Sequence, residues 1–143
     1  MKITTDQIRH YITTVKGPAR TYERLRSESI NSVAARPRTQ ASSRLTSQLA
    51  LCTDGIAEAA ALMNASIATS GLPHLPPHLV EDENRDAVEA LSATELIDLA
   101  QIFLSNSHGF HDLFDVTSNS KYRGLGGAYS NIASFMLELA QER

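Results

Sequence analysis

An all-α fold, a bundle of five or six helices organised around one long helix over about residues 40–69, is what the sequence predicts. Three observations carry this. Apolar residues recur at helical spacing in several separate segments. No alternation of apolar and polar residues long enough for a strand occurs. Aromatic residues make up 6% of the chain and tryptophan is absent, so the core is expected to consist of Leu, Ile, Val, Ala and Met.

The first helix is signalled by Thr4 and Gln7 in capping-box spacing, where each side chain satisfies a free backbone N–H of the first turn. Ile8, Tyr11, Ile12 and Val15 then form one apolar stripe. Gly17-Pro18 is expected to end this helix and start another, because glycine accepts a left-handed cap and proline suits a first turn. The second helix is expected from about Pro18 to Ala35, with Tyr22, Leu25, Ile30 and Val33 on its apolar side. Arg36-Pro37-Arg38 closes it, since the residue before a proline leaves the α region.

The third helix, over 40–69, carries Leu45, Leu49, Cys52, Ile56, Ala59, Met63 and Ile67 at steps of three and four, close to a coiled-coil seam. At about 1.5 Å per residue it would span roughly 45 Å. Gly55 is its weak point, and Gly71 and Pro73 stop it. Residues 71–84, GLPHLPPHLVEDEN, are expected to run partly extended over the surface. A short helix follows over Arg85–Leu91. Ser92-Ala93-Thr94-Glu95 forms a second capping box, with Leu91 and Leu96 at the staple positions around it. The helix it opens carries Leu96, Leu99, Ala100 and Phe103. Residues 105–127 are polar and bear glycines. They are expected to be a loop with a helical turn or two around Phe110, Leu113 and Phe114. The last helix is expected from near Gly127, with Tyr129, Ile132, Ala133, Met136 and Leu139 on its stripe.

The 143 residues, 42% hydrophobic and 20% charged, suit one ordinary globular domain over 1–143 rather than a disordered chain. Cys52 is the single cysteine, so no internal disulfide forms. The N-terminus lacks the apolar run of a signal peptide, and no stretch of about 18 apolar residues occurs. A cytoplasmic protein without a membrane partner is the expectation.

The net charge of −3 conceals a division. Residues 1–50 hold nine Lys/Arg against three acids, a net +6. Residues 51–143 hold four against thirteen, a net −9. Such a split creates a surface for an acidic partner, or two halves that neutralise each other by packing together. Arg20, Arg24, Arg26, Arg36, Arg38 and Arg44 form a run of six arginines without a lysine. Guanidinium pairs bidentately with phosphate or carboxylate, so this segment is the candidate surface for nucleic acid or an acidic protein. The bland alternative is a solvated face. A pI near 5.9 speaks against a general DNA binder. Two helices meeting at Gly17-Pro18 would also allow a helix-turn-helix over 5–33, although any two short helices so joined look alike.

His74 and His78, with His108, His111 and Asp112, are candidate ligands for Zn²⁺ or another divalent ion if their loops converge. Pro76-Pro77 separates the first pair, and no HExxH or CxxC occurs. Surface or capping histidines are the plainer alternative. Arg123-Gly124-Leu125-Gly126-Gly127 before the last helix could offer amides to an anion, but lacks the Gly-Lys-Ser/Thr ending of a P-loop. A flexible lead-in to the helix is the simpler reading.

No nucleophile elbow occurs. Cys52 reads as a small core residue, and Glu81-Asp82-Glu83 as acids favouring a helix start. The leading expectation is a non-enzymatic binding or adaptor protein without a cofactor, acting through the arginine-rich half. The rivals are a metal-binding protein or metal-dependent hydrolase using the histidines, and a structural subunit of a larger assembly. The long seam also offers a homodimer contact.

Overall fold

A computed structural model describes residues 1–33, 56–72 and 75–143. Among the described residues there are six α-helices, one short 3-10 turn and no strand. They are α1 (Thr5–Val33), α2 (Ile56–Thr69), α3 (Leu75–Leu79), the 3-10 turn Asp82–Asn84, α4 (Arg85–Glu89), α5 (Ala93–Thr117) and α6 (Ser120–Gln141). The helical bundle expected from sequence is what forms. Of the long helix, the half over 56–69 is α2; Leu45, Leu49, Cys52 and Gly55 lie outside the described residues.

Both capping boxes are present. The Gln7 N–H donates to Thr4 Oγ1 (3.1 Å), and the Thr4 N–H donates to Gln7 Oε1 (2.9 Å). Ser92 and Glu95 make the same reciprocal pair at the start of α5. Such a cap contributes about 1 kcal/mol. Leu91 and Leu96 are both buried around it, and Gly71 takes a φ of +77° just beyond α2.

The two-helix reading is corrected over residues 5–33; the expected end at Arg36-Pro37-Arg38 lies outside the described residues. α1 runs through Gly17 and Pro18 without a turn, which removes the helix-turn-helix. Pro18 costs α1 the amide that would have met the Thr14 carbonyl. That loss is offset because the stripes on either side of Pro18 are in phase. Ile8, Tyr11, Ile12, Val15, Ala19 and Tyr22 are all buried on one face, and each large apolar side chain contributes roughly 1.5–3 kcal/mol. A turn at residue 17 would take half of that stripe out of the core.

The extended path expected for residues 71–84 is corrected as well. Pro76 and Pro77 occupy the first turn of α3, where no N–H is needed. Leu75 and Leu79 are buried under it. Asn84 closes the segment from within. Its buried side chain accepts from the Ile3 N–H (2.7 Å) and donates to the carbonyls of Met1 (2.9 Å) and His78 (2.7 Å).

The third correction concerns residues 105–127. Only Ser118 and Asn119 separate α5 from α6. Ser118 adopts a left-handed φ of 57°, and Asn119 caps α6 by accepting from the Lys121 N–H (3.1 Å). The polar residues are polar but small, and they are satisfied inside the hairpin or against α1, where Ser105 bonds to Glu23. Ser105, Asn106 and Ser107 are buried. The Asn106 amide donates to the Ile102 carbonyl (3.1 Å) and Ser107 Oγ to the Gly126 carbonyl (2.7 Å). Gly124, Gly126 and Gly127 therefore lie inside α6. Their amides are interior to a helix, so neither the anion cradle nor the flexible lead-in exists there.

α5 and α6 form an antiparallel hairpin, and α1 packs on α5 and on α2. The ion pairs Arg9–Glu95, Lys16–Asp98 and Arg26–Asp112 advance together along both helices, so α1 and α5 run parallel. Ala59, Met63 and Ile67 of the predicted seam are buried in the chain's own core. The core differs from expectation in one respect. Its centre is aromatic: Tyr11, Phe103 and Tyr129 stand in a row with centroids 6.2 and 5.9 Å apart. Few aromatics are needed because they are gathered in one place.

Candidate functional site

The α1–α5 seam is where the basic and acidic halves meet. Arg9 Nε reaches Glu95 Oε2 at 2.7 Å, while the other oxygen of Glu95 accepts from the Ser92 N–H at 3.0 Å. These bonds, led by Arg9, hold the Glu95 carboxyl below the usual carboxylate range. One turn on, Lys16 Nζ lies 2.9 Å from Asp98 Oδ2, and Arg20 Nη2 lies 3.5 Å from its other oxygen. Further along, His108 Nδ1 faces both oxygens of Glu23 at 2.9 and 3.1 Å. Burial pushes the Glu23 carboxyl up, but the His108 hydrogen bond and the charges of His108 and Arg26 outweigh it and bring it below its ordinary value. An ionised Glu23 only accepts, so His108 Nδ1 carries the hydrogen of this bond.

The seam is closed at its far end by a buried network. Arg26 forks onto Asp112 at 2.7 and 3.0 Å, and the Tyr22 hydroxyl adds a 3.4 Å bond. The Asp112 side chain is only 3% exposed. Burial works against the charged guanidinium, yet Asp112 outweighs it and holds Arg26 above its ordinary pKa. Burial, then the Asp112 charge, raise the Tyr22 hydroxyl, which stays a neutral donor. Removing one partner of such a pair is costly because the other charge is left stranded.

Between Asp98 and this network lies a groove of about 390 Å³. Ala19 of α1 and Ile102 and Leu104 of α5 make its apolar floor. Lys16, Arg20, Glu23 and Arg24 stand along the α1 rim, and Asp98, Gln101 and His108 on the α5 side, with Asp98 paired to Lys16 and Glu23 to His108. The apolar residue that α1 contributes to the lining is alanine, whose methyl group is too small to fill the space between two parallel helices.

The predicted arginines separate by role. Arg26 is half-buried and bound to Asp112. Arg20 is 60% exposed and shares Asp98 with Lys16. Arg24 is exposed and makes no ion pair among the described residues. Arg36, Arg38 and Arg44 lie outside the described residues.

The histidines separate too. His78, on α3, pairs with Glu81 at 2.9 Å. His108 faces α1, while the His111 ring faces Gly126 on α6. Asp112 is held by Arg26, and His74 is outside the described residues. Among the described residues no three His, Cys, Asp or Glu side chains gather as a metal centre would need. Nor is any helix among them long and apolar enough to cross a membrane.

Sequence reasoning named Glu95 only for its capping box and did not single out Lys16, Glu23 or Asp98. Each is unremarkable on its own helix, and the partners stand 82 to 86 residues apart in the chain. Their common signal was the division of charge between the two halves. No protein-family model, curated protein or solved structure matches the chain.

Proposed function

We propose that this protein is a non-enzymatic binding protein that recognises an acidic segment of a protein partner through the arginine face of α1. The observation that carries this is the contrast within α1. Arg9, Lys16 and Arg26 are closely paired with α5, whereas Arg24 is exposed with no ion pair among the described residues, and Arg20, 60% exposed, reaches only the Asp98 that Lys16 holds more closely. Four residues apart, they project from one face beside the groove. Guanidinium groups so placed attract carboxylates and steer their approach.

An acidic protein suits this surface better than a phosphate backbone. Asp98 and Glu23 are set into the same walls, so a continuous row of phosphates would meet them, whereas carboxylates on a peptide can be spaced to meet Arg20 and Arg24 alone. A reducing, cytoplasmic setting goes with this reading, since the one cysteine has no disulfide partner in the chain.

Capture from cell extract by the immobilised protein, with and without nuclease, tests the proposal. The same capture is repeated with an Arg20→Ala/Arg24→Ala variant. Nuclease-resistant protein capture that weakens with salt and is lost in the variant is expected. Full capture by the variant, or capture abolished by nuclease, would overturn it.

A further inference from the structure

Beside Arg20 and Arg24 the surface is not flat, and its shape narrows the kind of acidic partner. Resting on the binding role just proposed, we infer that the α1–α5 groove takes an amphipathic acidic segment. One large apolar side chain sits over Ala19, Ile102 and Leu104, and flanking carboxylates meet Arg20 and Arg24.

Size, floor and rim agree on this occupant. At about 390 Å³ the groove lies within the range of concave ligand sites, roughly 300–1,000 Å³. It is far more than a single carboxylate requires. Its floor is apolar, with Ala19 and Ile102 buried and Leu104 half-buried. A purely polar chain crossing it would lose water without gaining contacts, whereas an apolar side chain gains by leaving water.

The rim supplies charge complementarity. Arg20 and Arg24 are one helical turn apart, about 6 Å along the axis. Two acids match that distance when spaced four apart in a helix, or two apart in an extended strand, where two residues span roughly 6.6 Å. Arg20 is the more available partner of Asp98's two cations. Its contact is 3.5 Å against 2.9 Å for Lys16, so a ligand carboxylate can draw Arg20 away while Lys16 keeps Asp98 neutralised. Arg24 has no such tie among the described residues.

The test is fluorescence anisotropy with two labelled peptides of equal length and charge. One has leucines at helical spacing among glutamates, and the other has serine at each leucine position. The leucine peptide is expected to bind about tenfold more tightly, the effect of burying one large apolar side chain. Ala19→Leu, which fills the floor, and Ser27→Trp, which overhangs it from an exposed position, should each erase that difference. Arg20→Ala/Arg24→Ala should weaken both peptides. If Ala19→Leu does not unfold cooperatively by circular dichroism, Ser27→Trp decides. Equal binding of both peptides, unchanged by either groove variant, would sink the groove inference and leave the basic face standing. Binding of neither peptide, or indifference to the arginine variant, would sink both. Light scattering covers one more occupant: wild-type self-association lost in Ser27→Trp would assign the groove to a second copy and overturn the acidic segment.

Discussion

A β-carbon built on Gly126 would lie 2.9 Å from Nε2 of the His111 ring and 3.0 Å from Cε1. Gly126 is interior to α6, where alanine would ordinarily gain about 1 kcal/mol. The ring and the helix preference therefore oppose each other, and a double-mutant cycle separates them. Gly126→Ala alone is expected to leave urea stability unchanged or lowered. In a His111→Ala background the same change should stabilise by about 1 kcal/mol. An identical effect in both backgrounds would show that the ring is not what keeps position 126 small. The same residue shows the limit of local reading. Nothing near Gly126 in sequence announces an imidazole fifteen residues away, so the glycines of 123–127 suggest flexibility where Gly126 permits close packing and Gly124 and Gly127 face open space. Asp112 is a similar case. Beside His108 and His111 it resembles a metal ligand, but across the seam it is the counter-charge to Arg26.

At the scale of the element, Gly17 separates two accounts of α1. As a left-handed cap between two helices it would resist a side chain, and Gly17→Ala would destabilise. Within one continuous helix it has a negative φ, and a β-carbon there meets nothing within 4 Å. Gly17→Ala is thus expected to raise stability by about 1 kcal/mol, read as a higher urea midpoint at constant slope. A lower midpoint would restore the break. Elements whose signals are short in range were legible. Both capping boxes, the Leu91/Leu96 staple, the short helix α4 and the stop at Gly71 need only neighbours within a turn. Helix lengths at Pro18 and across residues 105–117 were not, because burial against another helix outweighed proline and small polar residues there. The candidate site was half legible. Arg20 and Arg24 were named within the run of six arginines, but the groove beside them needs two helices to exist.

For the whole molecule the charge division has a consequence in acid. Glu23 and Glu95 both titrate below their ordinary value of 4.5 in the folded chain. The unfolded chain then takes up protons first as pH falls. Their contribution is complete above about pH 4.5, and is lost as pH drops through the lowered folded-state values. Urea midpoints are expected to be level above about pH 5 and to decline below it, with Glu23→Gln flattening part of the decline. A midpoint level down to about pH 3 would show that these carboxylates are not linked to folding. Both groups are partly exposed, so the decline should be gradual and shrink with salt.

The amino-acid sequence by itself determined the helical class, the caps, the apolar stripes and the unequal charge of the two halves. Each depends on periodicity or on neighbours a turn apart. Only the tertiary structure decided that α1 passes through Pro18, that residues 105–117 are helix, and which arginines are already neutralised. Those outcomes depend on helices brought together by packing: α1 on α2 and α5, with ion pairs 82 to 86 residues apart, and α5 on α6, as in the Ser107–Gly126 bond 19 residues apart. The division of charge was visible from the start. That α1 and α5 use most of it on each other, leaving Arg20 and Arg24 beside a groove, follows from two helices lying parallel across an alanine.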